Sequence, residues 1–245
     1  MYRLKKFLLK KIKQKGYSLS KQQARNGNET NPLYYLAGFF IHNGFKGDLV
    51  QIGANDGVTN DPVRKLILDF KIPSLLVEPQ LPIFKKLQTA YSAVPHVRLE
   101  NCAIDNVSGN KELFYVEPVS GYPMWASGIA SFDKATLLKH KRVLPGLEGN
   151  LRKINVPTFT FRQLLQKHDI QEVLILQIDT EGYDFELLKH ITSSGVRPKL
   201  IQYEHKHLSF RDQSACREML TEMGYAFLTK PEDTIAIYKD QAISS

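Results

Sequence analysis

Five short runs along this chain, DLVQIG (48–53), SLLVE (74–78), VRLENCA (97–103), VLILQID (173–179) and KLIQYE (199–204), are built on apolar residues, adjacent aliphatic ones in four of them (LV, LLV, VLIL and LI), and stretches with helical periodicity separate them. A strand with one face in water alternates polar and apolar residues, whereas a strand that is apolar throughout is covered on both faces. That pattern, repeated with intervening helices, predicts a mostly parallel sheet between two helical layers. Helices are expected over Pro32–Ile41, closed by Asn43-Gly44, from Asp61-Pro62, and over Pro79–Tyr91, Thr160–His168, Tyr183–His190 and Ser214–Gly224. Segments 225–230 and 234–238 lie close enough to pair as an antiparallel C-terminal hairpin. A further strand is expected at Glu112–Glu117, followed by a Gly/Pro-bearing loop, Pro118–Ser131, of a length that suits a lid or binding loop.

Composition places this sheet in one ordinary globular domain: 245 residues, 42% apolar and 24% charged. Two cysteines, Cys102 and Cys216, with no neighbouring zinc-ligand pattern, read as core thiols and favour a reducing, cytosolic setting. The net charge of +8 is not spread evenly. Residues 1–31 carry nine Lys/Arg and one acid, which leaves 24 basic and 24 acidic side chains in the rest. A neutral body gives nucleic-acid binding little support. In the tail, Leu4, Phe7, Leu8 and Ile12 recur at helical spacing among lysines, as in a short basic helix lying on an anionic membrane surface, and the apolar run is too short to span one. The domain is therefore expected to begin near residue 32, with residues 1–31 as a separate tail.

In a sheet of this kind the ligand lies beyond the carboxyl ends of the strands, so the residues that end each run carry the function. They are Gly53-Ala-Asn-Asp-Gly57, Glu78, the corner at Asp105, Asp179-Thr-Glu181 and Glu204-His-Lys-His207. Two glycines around the first turn allow close backbone approach, and Glu78 at the next strand tip suits the two hydroxyls of a ribose. Together they predict a nucleoside cofactor. A pyrophosphate fits poorly, because Asp56 and Asp61 face its place and the G-x-G-x-x-G pattern is missing. A sulfonium with a zwitterionic amino acid fits better, which points to S-adenosylmethionine.

The series VQIGANDG, LLVEP, NCAIDN, ASGIASF, VPTFTFRQLL, LILQIDTEGYDFELL and LIQYEHKHLS, from about Asp48 to Tyr238, resembles the FkbM-type methyltransferases. The resemblance implies a Rossmann-like methyltransferase fold with a mostly parallel, seven-stranded twisted sheet. It also implies that Gly53, Asn55 and Gly57 hold the methionine part of the cofactor, Glu78 the ribose and Asp105 the adenine edge. Many relatives carry an acid where this chain has Gln51, a neutral acceptor for the cofactor ammonium.

Methyl transfer to a hydroxyl asks for alignment and a base. His205 is the first expectation for the base, by its ordinary pKa. Asp179 and Glu181 are expected beside it to position the cofactor or bind the substrate, and Glu181, Glu204, His207 or water are the alternative bases. The same carboxylates and histidines are also a donor set for a divalent ion, if they converge. Trp125 and Tyr122, in the loop, suit either packing or stacking on a sugar. The expected activity is O-methylation of a small molecule, a sugar or glycan precursor in particular. The competing reading is a non-catalytic S-adenosylmethionine-binding or scaffold domain recruited to membranes by its tail.

Overall fold

The computed structural model describes residues 31–239, so the basic tail lies outside the described residues. The first helix, α1 (Pro32–His42), is capped by the Asn31 side chain, which accepts the Leu33 N–H at 3.1 Å. In chain order there follow β1 (Asp48–Ile52), α2 (Arg64–Phe70), β2 (Ser74–Val77), α3 (Leu81–Tyr91) and β3 (Val97–Glu100). After an inserted region come α5 (Phe161–Lys167), β8 (Val173–Ile178), α6 (Asp184–Ser193), β9 (Leu200–Glu204), α7 (Phe210–Glu222), β10 (Tyr225–Thr229) and β11 (Asp233–Tyr238). The seven strands form one sheet in the order β10-β11-β9-β8-β1-β2-β3, and only β11 runs against the others.

Full burial of β2 and β8 follows from two apolar layers. On one face, Leu49, Leu76, Ile175 and Leu200 pack against α1, α2 and α3 through Leu33, Phe40, Leu66 and Leu87. On the other, Val50, Ile52, Leu176 and Ile201 pack against Leu187 and Ile191 of α6 and Cys216 and Leu220 of α7. Both cysteines are free and buried, as expected of core thiols. Among the described residues no helix is long and apolar enough to cross a membrane.

The middle of the chain departs from expectation. The run 97–103 is two strands in two sheets. At Asn101 the side-chain amide donates to the carbonyls of Glu78 and Pro79 (2.8 and 3.0 Å), which turns the chain off the sheet edge. The next strand, β4 (Ala103–Ile104), then opens a separate four-stranded sheet, β4-β7-β5-β6, with β5 (Gly109–Val116), β6 (Ala130–Ser131) and β7 (Leu151–Phe159). Residues 132–159, to which the sequence pattern assigns no element, supply β7 and a short helix, α4 (Lys134–Leu138). Strands β5 and β7 are largely exposed along their first halves, so they lack the continuous apolar signature of the main sheet. Nor is Pro118–Ser131 a plain loop: it holds a 3₁₀ turn (Met124–Gly128) and β6, and with α4 it encloses a small core of Val116, Ala126, Ile129, Leu137 and Leu144.

Two helix starts also shift. Asp61 accepts the N–H groups of Val63 and Arg64 (2.7 and 2.8 Å), and α2 begins at Arg64, three residues after this cap. Helix α7 starts at Phe210, capped by Ser209, four residues before the expected Ser214.

Candidate active site

Where β1 and β8 lie side by side the strand order reverses, and crevices form at such points. Here a cleft of about 290 Å³ opens beyond the carboxyl ends of β1, β2 and β8, with the inserted region as its far wall. Gly53, in the left-handed region at φ +81, forms its floor: a Cβ there would stand 1.8 Å from the Asp179 carbonyl oxygen. Only glycine lets the two strand ends approach so closely. Asn55 is also left-handed, at φ +50, and donates its backbone N–H to Glu78 Oε2 at 3.0 Å. The other Glu78 oxygen accepts the Gln80 N–H at 2.8 Å, and burial outweighs both bonds to raise the carboxyl to about 7.

Gln51 lines the cleft from below, 2% exposed, with its Oε1 unpartnered among protein atoms. It is one of three. Register places Gln51, Gln177 and Gln202 side by side on β1, β8 and β9, each buried and each with an amide oxygen lacking a protein partner. The signal was in the sequence, where VQIG, LQID and IQYE each carry glutamine two residues before the strand-end residue.

Two expected cofactor residues stand elsewhere. Gly57 does not line the cleft. A Cβ there would strike Leu87 and Tyr91 (2.5 and 2.7 Å), so this glycine admits α3 to the turn. Asp105 is likewise outside the lining. Lys111 (2.6 Å), Tyr183 (3.0 Å) and the Asn106 N–H (2.9 Å) hold its carboxylate in the second sheet, and the cleft wall at this corner is Cys102, Ala103 and Ile104.

Another side of the cleft is built by the turn after β8. Glu181 and Gly182 both have positive φ (51° and 91°), and Tyr183 N–H closes the turn on the Thr180 carbonyl. A non-glycine residue held left-handed costs on the order of 1 kcal/mol, a strain that collects at functional sites. Asp184, fully buried at the start of α6, fixes the turn. One of its oxygens accepts from the Thr180 N–H and hydroxyl (3.2 and 2.9 Å), the other from the Glu204 N–H (3.2 Å), joining the ends of β8 and β9. Asp179 and Glu181 both line the cleft, as expected. Asp179 is open to the cleft's solvent yet deep within the fold; that depth, and then Asp184, Glu181 and Asp233, raise its carboxyl well above the usual range.

His205 does not reach this cleft. The chain turns after Glu204, so the two side chains part: His205 Nδ1 meets the Thr234 hydroxyl at 3.0 Å, and the ring lines a separate pocket with Phe210, Gln213 and Arg217. Its carbonyl accepts from Leu208 N–H and Gln213 Nε2. This is a structural histidine, and the base role expected of it is withdrawn.

His207 instead returns to the Glu204 side, its Nε2 3.5 Å from both Glu181 Oε2 and Glu204 Oε2. A residue absent from the sequence expectation completes the group. His140, on the 3₁₀ turn Lys139–Arg142, brings its Nε2 to 3.8 Å from Glu181 Oε2. Burial, then the charges of Asp179, Glu181 and Asp184, raise Glu204 to about 9; burial and Asp184 raise Glu181 to about 7. Burial, then His140, Lys206 and Lys139, lower His207 to about 4. Trp125, 41% exposed, lines the cleft beside His140 at 5.8 Å between rings. Tyr122 packs instead, donating to the Pro145 carbonyl.

A model of the methyltransferase FkbM domain matches residues 51–227, from Gln51 through the strand-end cluster to β10. The chain belongs to the FkbM methyltransferase family. No curated protein matches it. Among solved structures it is similar to a methyltransferase FkbM from Methylobacillus flagellatus KT, at 14% identity and TM-score 0.47, over 79% of this chain and 44% of that one. It is also similar to a fibrillarin pre-rRNA processing protein of Methanococcus jannaschii, at 10% identity and TM-score 0.42, over 80% and 68%. A third likeness is to a Podospora anserina methyltransferase with SAH bound, at 11% identity and TM-score 0.43, over 85% and 78%. The chain thus spans less than half the length of the Methylobacillus chain.

Proposed function

We propose that this FkbM methyltransferase moves a methyl group from S-adenosylmethionine to a hydroxyl of a small acceptor, a sugar or glycan precursor. The observation that carries the cofactor assignment is the charge of the cleft. Asp56, Asp61, Glu78, Asp179 and Glu181 line it against a single lysine, Lys86. Such a wall offers a pyrophosphate no cation except Lys86, whereas a sulfonium and an ammonium favour the ionised forms of the carboxyls that burial raises. The unpartnered Gln51 Oε1 supplies a neutral acceptor for that ammonium, and the buried Glu78 carboxylate an acceptor for ribose hydroxyls. Cys102, Ala103 and Ile104 offer an apolar wall for the adenine. When bound, S-adenosylmethionine supplies an electrophilic methyl and leaves as the neutral sulfide. Asp179, open to the cleft at the end of β8, is placed to take the hydroxyl proton as the new carbon–oxygen bond forms. The exposed face of Trp125 at the rim suits the apolar face of a sugar ring.

Glu78→Ala is expected to weaken S-adenosylmethionine binding at least tenfold, since a charge-assisted hydrogen-bond acceptor contributes about 1.5–3 kcal/mol. Unchanged affinity by calorimetry in a folded variant would remove the ribose assignment. Proton linkage gives a second readout. Hydroxyl donors favour the ionised carboxyl, which the free protein holds protonated below about 7, so affinity should fall as pH is lowered from 8 to 6 and Glu78→Gln should flatten that slope. In the ligand-free fold the sign is opposite. A carboxyl raised from 4.5 to about 7 favours the fold below 4.5, and that contribution fades as pH rises through 7.

The tail supports a surface-bound acceptor. Seven basic residues lie between Arg3 and Lys15, and each contributes about 1 kcal/mol near an anionic bilayer. Deleting residues 1–31 should abolish salt-sensitive binding to anionic vesicles and leave cofactor binding intact. Failure of the full chain to bind such vesicles at low salt would count against this.

A further inference from the structure

The three side chains His140, Glu181 and His207 come from separate parts of the chain: a 3₁₀ turn of the inserted region, the strained turn after β8, and the turn after β9. One ligand atom of each falls within 4.8 Å of the others. None of the measured separations, 3.8 Å from His140 to Glu181 and 3.5 Å from His207 to Glu181 and to Glu204, is a good hydrogen bond. They are instead close to the spacing of ligands around one ion, because two atoms each about 2.1 Å from a tetrahedral metal stand about 3.4 Å apart. Two atoms of the group, His140 Nε2 and Glu204 Oε2, are buried without a hydrogen-bond partner in the protein. Between 14% and 23% of each side chain is exposed, so the group is enclosed on most sides. Gly182 lies against the group: a Cβ there would crowd Thr136 of α4 at 3.0 Å and come into ordinary contact with His207 at 3.5 Å.

We propose that His140, Glu181 and His207, with Glu204 as a further carboxylate on the His207 side, bind one divalent first-row transition ion. Two imidazoles with carboxylate are the donors of zinc, manganese and iron(II) sites, whereas magnesium and calcium prefer oxygen throughout. The nearby cations are accommodated: Lys206 is paired with Glu232 at 3.0 Å, and Lys139 donates to the His207 carbonyl at 3.2 Å. Because Glu181 also lines the cleft, the ion faces the acceptor side. On the methyl-transfer reading above, it binds the acceptor hydroxyl and lowers its pKa, so that the proton passes to Asp179 more readily.

The test uses the full chain, stripped with chelator and titrated with Co²⁺ and then Zn²⁺, followed by visible absorption and calorimetry, with S-adenosylmethionine binding measured in parallel. One Co²⁺ per chain is expected, with ligand-field bands that Zn²⁺ abolishes. His140→Ala and His207→Gln should each weaken Co²⁺ binding by about 100-fold or more, with the thermal midpoint of the stripped protein and the cofactor affinity unchanged. A folded chain that binds S-adenosylmethionine but takes up neither ion, or that keeps full Co²⁺ affinity in both variants, overturns the site and leaves the methyl-transfer reading standing. Stoichiometric, His207-dependent metal without any S-adenosylmethionine binding supports the site and overturns that reading instead.

Discussion

Asp179→Asn is expected to lower turnover by about 10²–10⁴, the usual contribution of a positioned general base, while S-adenosylmethionine affinity changes by no more than a few-fold. The asparagine keeps the volume and the hydrogen-bonding outline of the side chain and removes only its capacity to take a proton. Stability should not fall. Burial and then the carboxyls of Asp184, Glu181 and Asp233 already disfavour a charge on Asp179, so a neutral amide there removes that cost. A large loss of kcat in a variant at least as stable as the parent therefore separates a chemical role from a structural one.

The companion experiment is His205→Ala. A strand-end histidine with ordinary titration near neutral pH is the natural base on paper, but this ring lines a different pocket and bonds the Thr234 hydroxyl. Turnover within about twofold of the parent is expected, with a modest loss of stability, about 1 kcal/mol, from the broken hydrogen bond. Should Asp179→Asn keep full activity, proton acceptance moves to Glu181 or to water. A collapse of activity in folded His205→Ala would mean that β9 ends differently in solution.

The main sheet was legible in the sequence because its strands are covered on both faces, so LLV, VLILQI and LIQY print as apolar blocks that nothing else explains. Of the inserted sheet only the inner half of β5, expected at Glu112–Glu117, was legible, because β5 and β7 are half exposed and carry lysines, asparagine and even Pro157 in place of a clean alternation. Site residues divide along the same line. Gly53, Asn55, Glu78, Asp179 and Glu181 follow β1, β2 and β8 directly, and each was readable as the end of a visible strand. His205 and His207 could not be told apart, since which of two nearby residues approaches Glu181 depends on a turn whose hydrogen bonds run to Glu232, far along the chain. His140 sits in a segment without period, and only the packing of that segment over Gly182 brings it to Glu181.

Gly53→Ala is expected to abolish cofactor binding and to destabilise the protein by about 3 kcal/mol or more. Two costs combine. An alanine held in the left-handed region pays about 1 kcal/mol, and its methyl would lie 1.8 Å from the Asp179 carbonyl oxygen, a backbone atom with no rotamer to escape into. Overpacking in a closed space adds about 1–3 kcal/mol. Relief requires the ends of β1 and β8 to separate, which displaces Asp179 and Glu181 together and breaks the crevice that both strands form. Other glycines calibrate the result. Gly128→Ala meets the amide of Asn55, at 2.3 Å, the end of a side chain that can turn away at the cost of its bond from the Asp56 N–H, and Gly149→Ala meets nothing within 4 Å. The expected order of loss, read from thermal melts and from calorimetric titration with S-adenosylmethionine, is Gly53 far above Gly128, with Gly149 near zero. Parent-like binding in Gly53→Ala would show that β1 and β8 do not close on one another as described, and the floor of the cleft would have to be sought elsewhere.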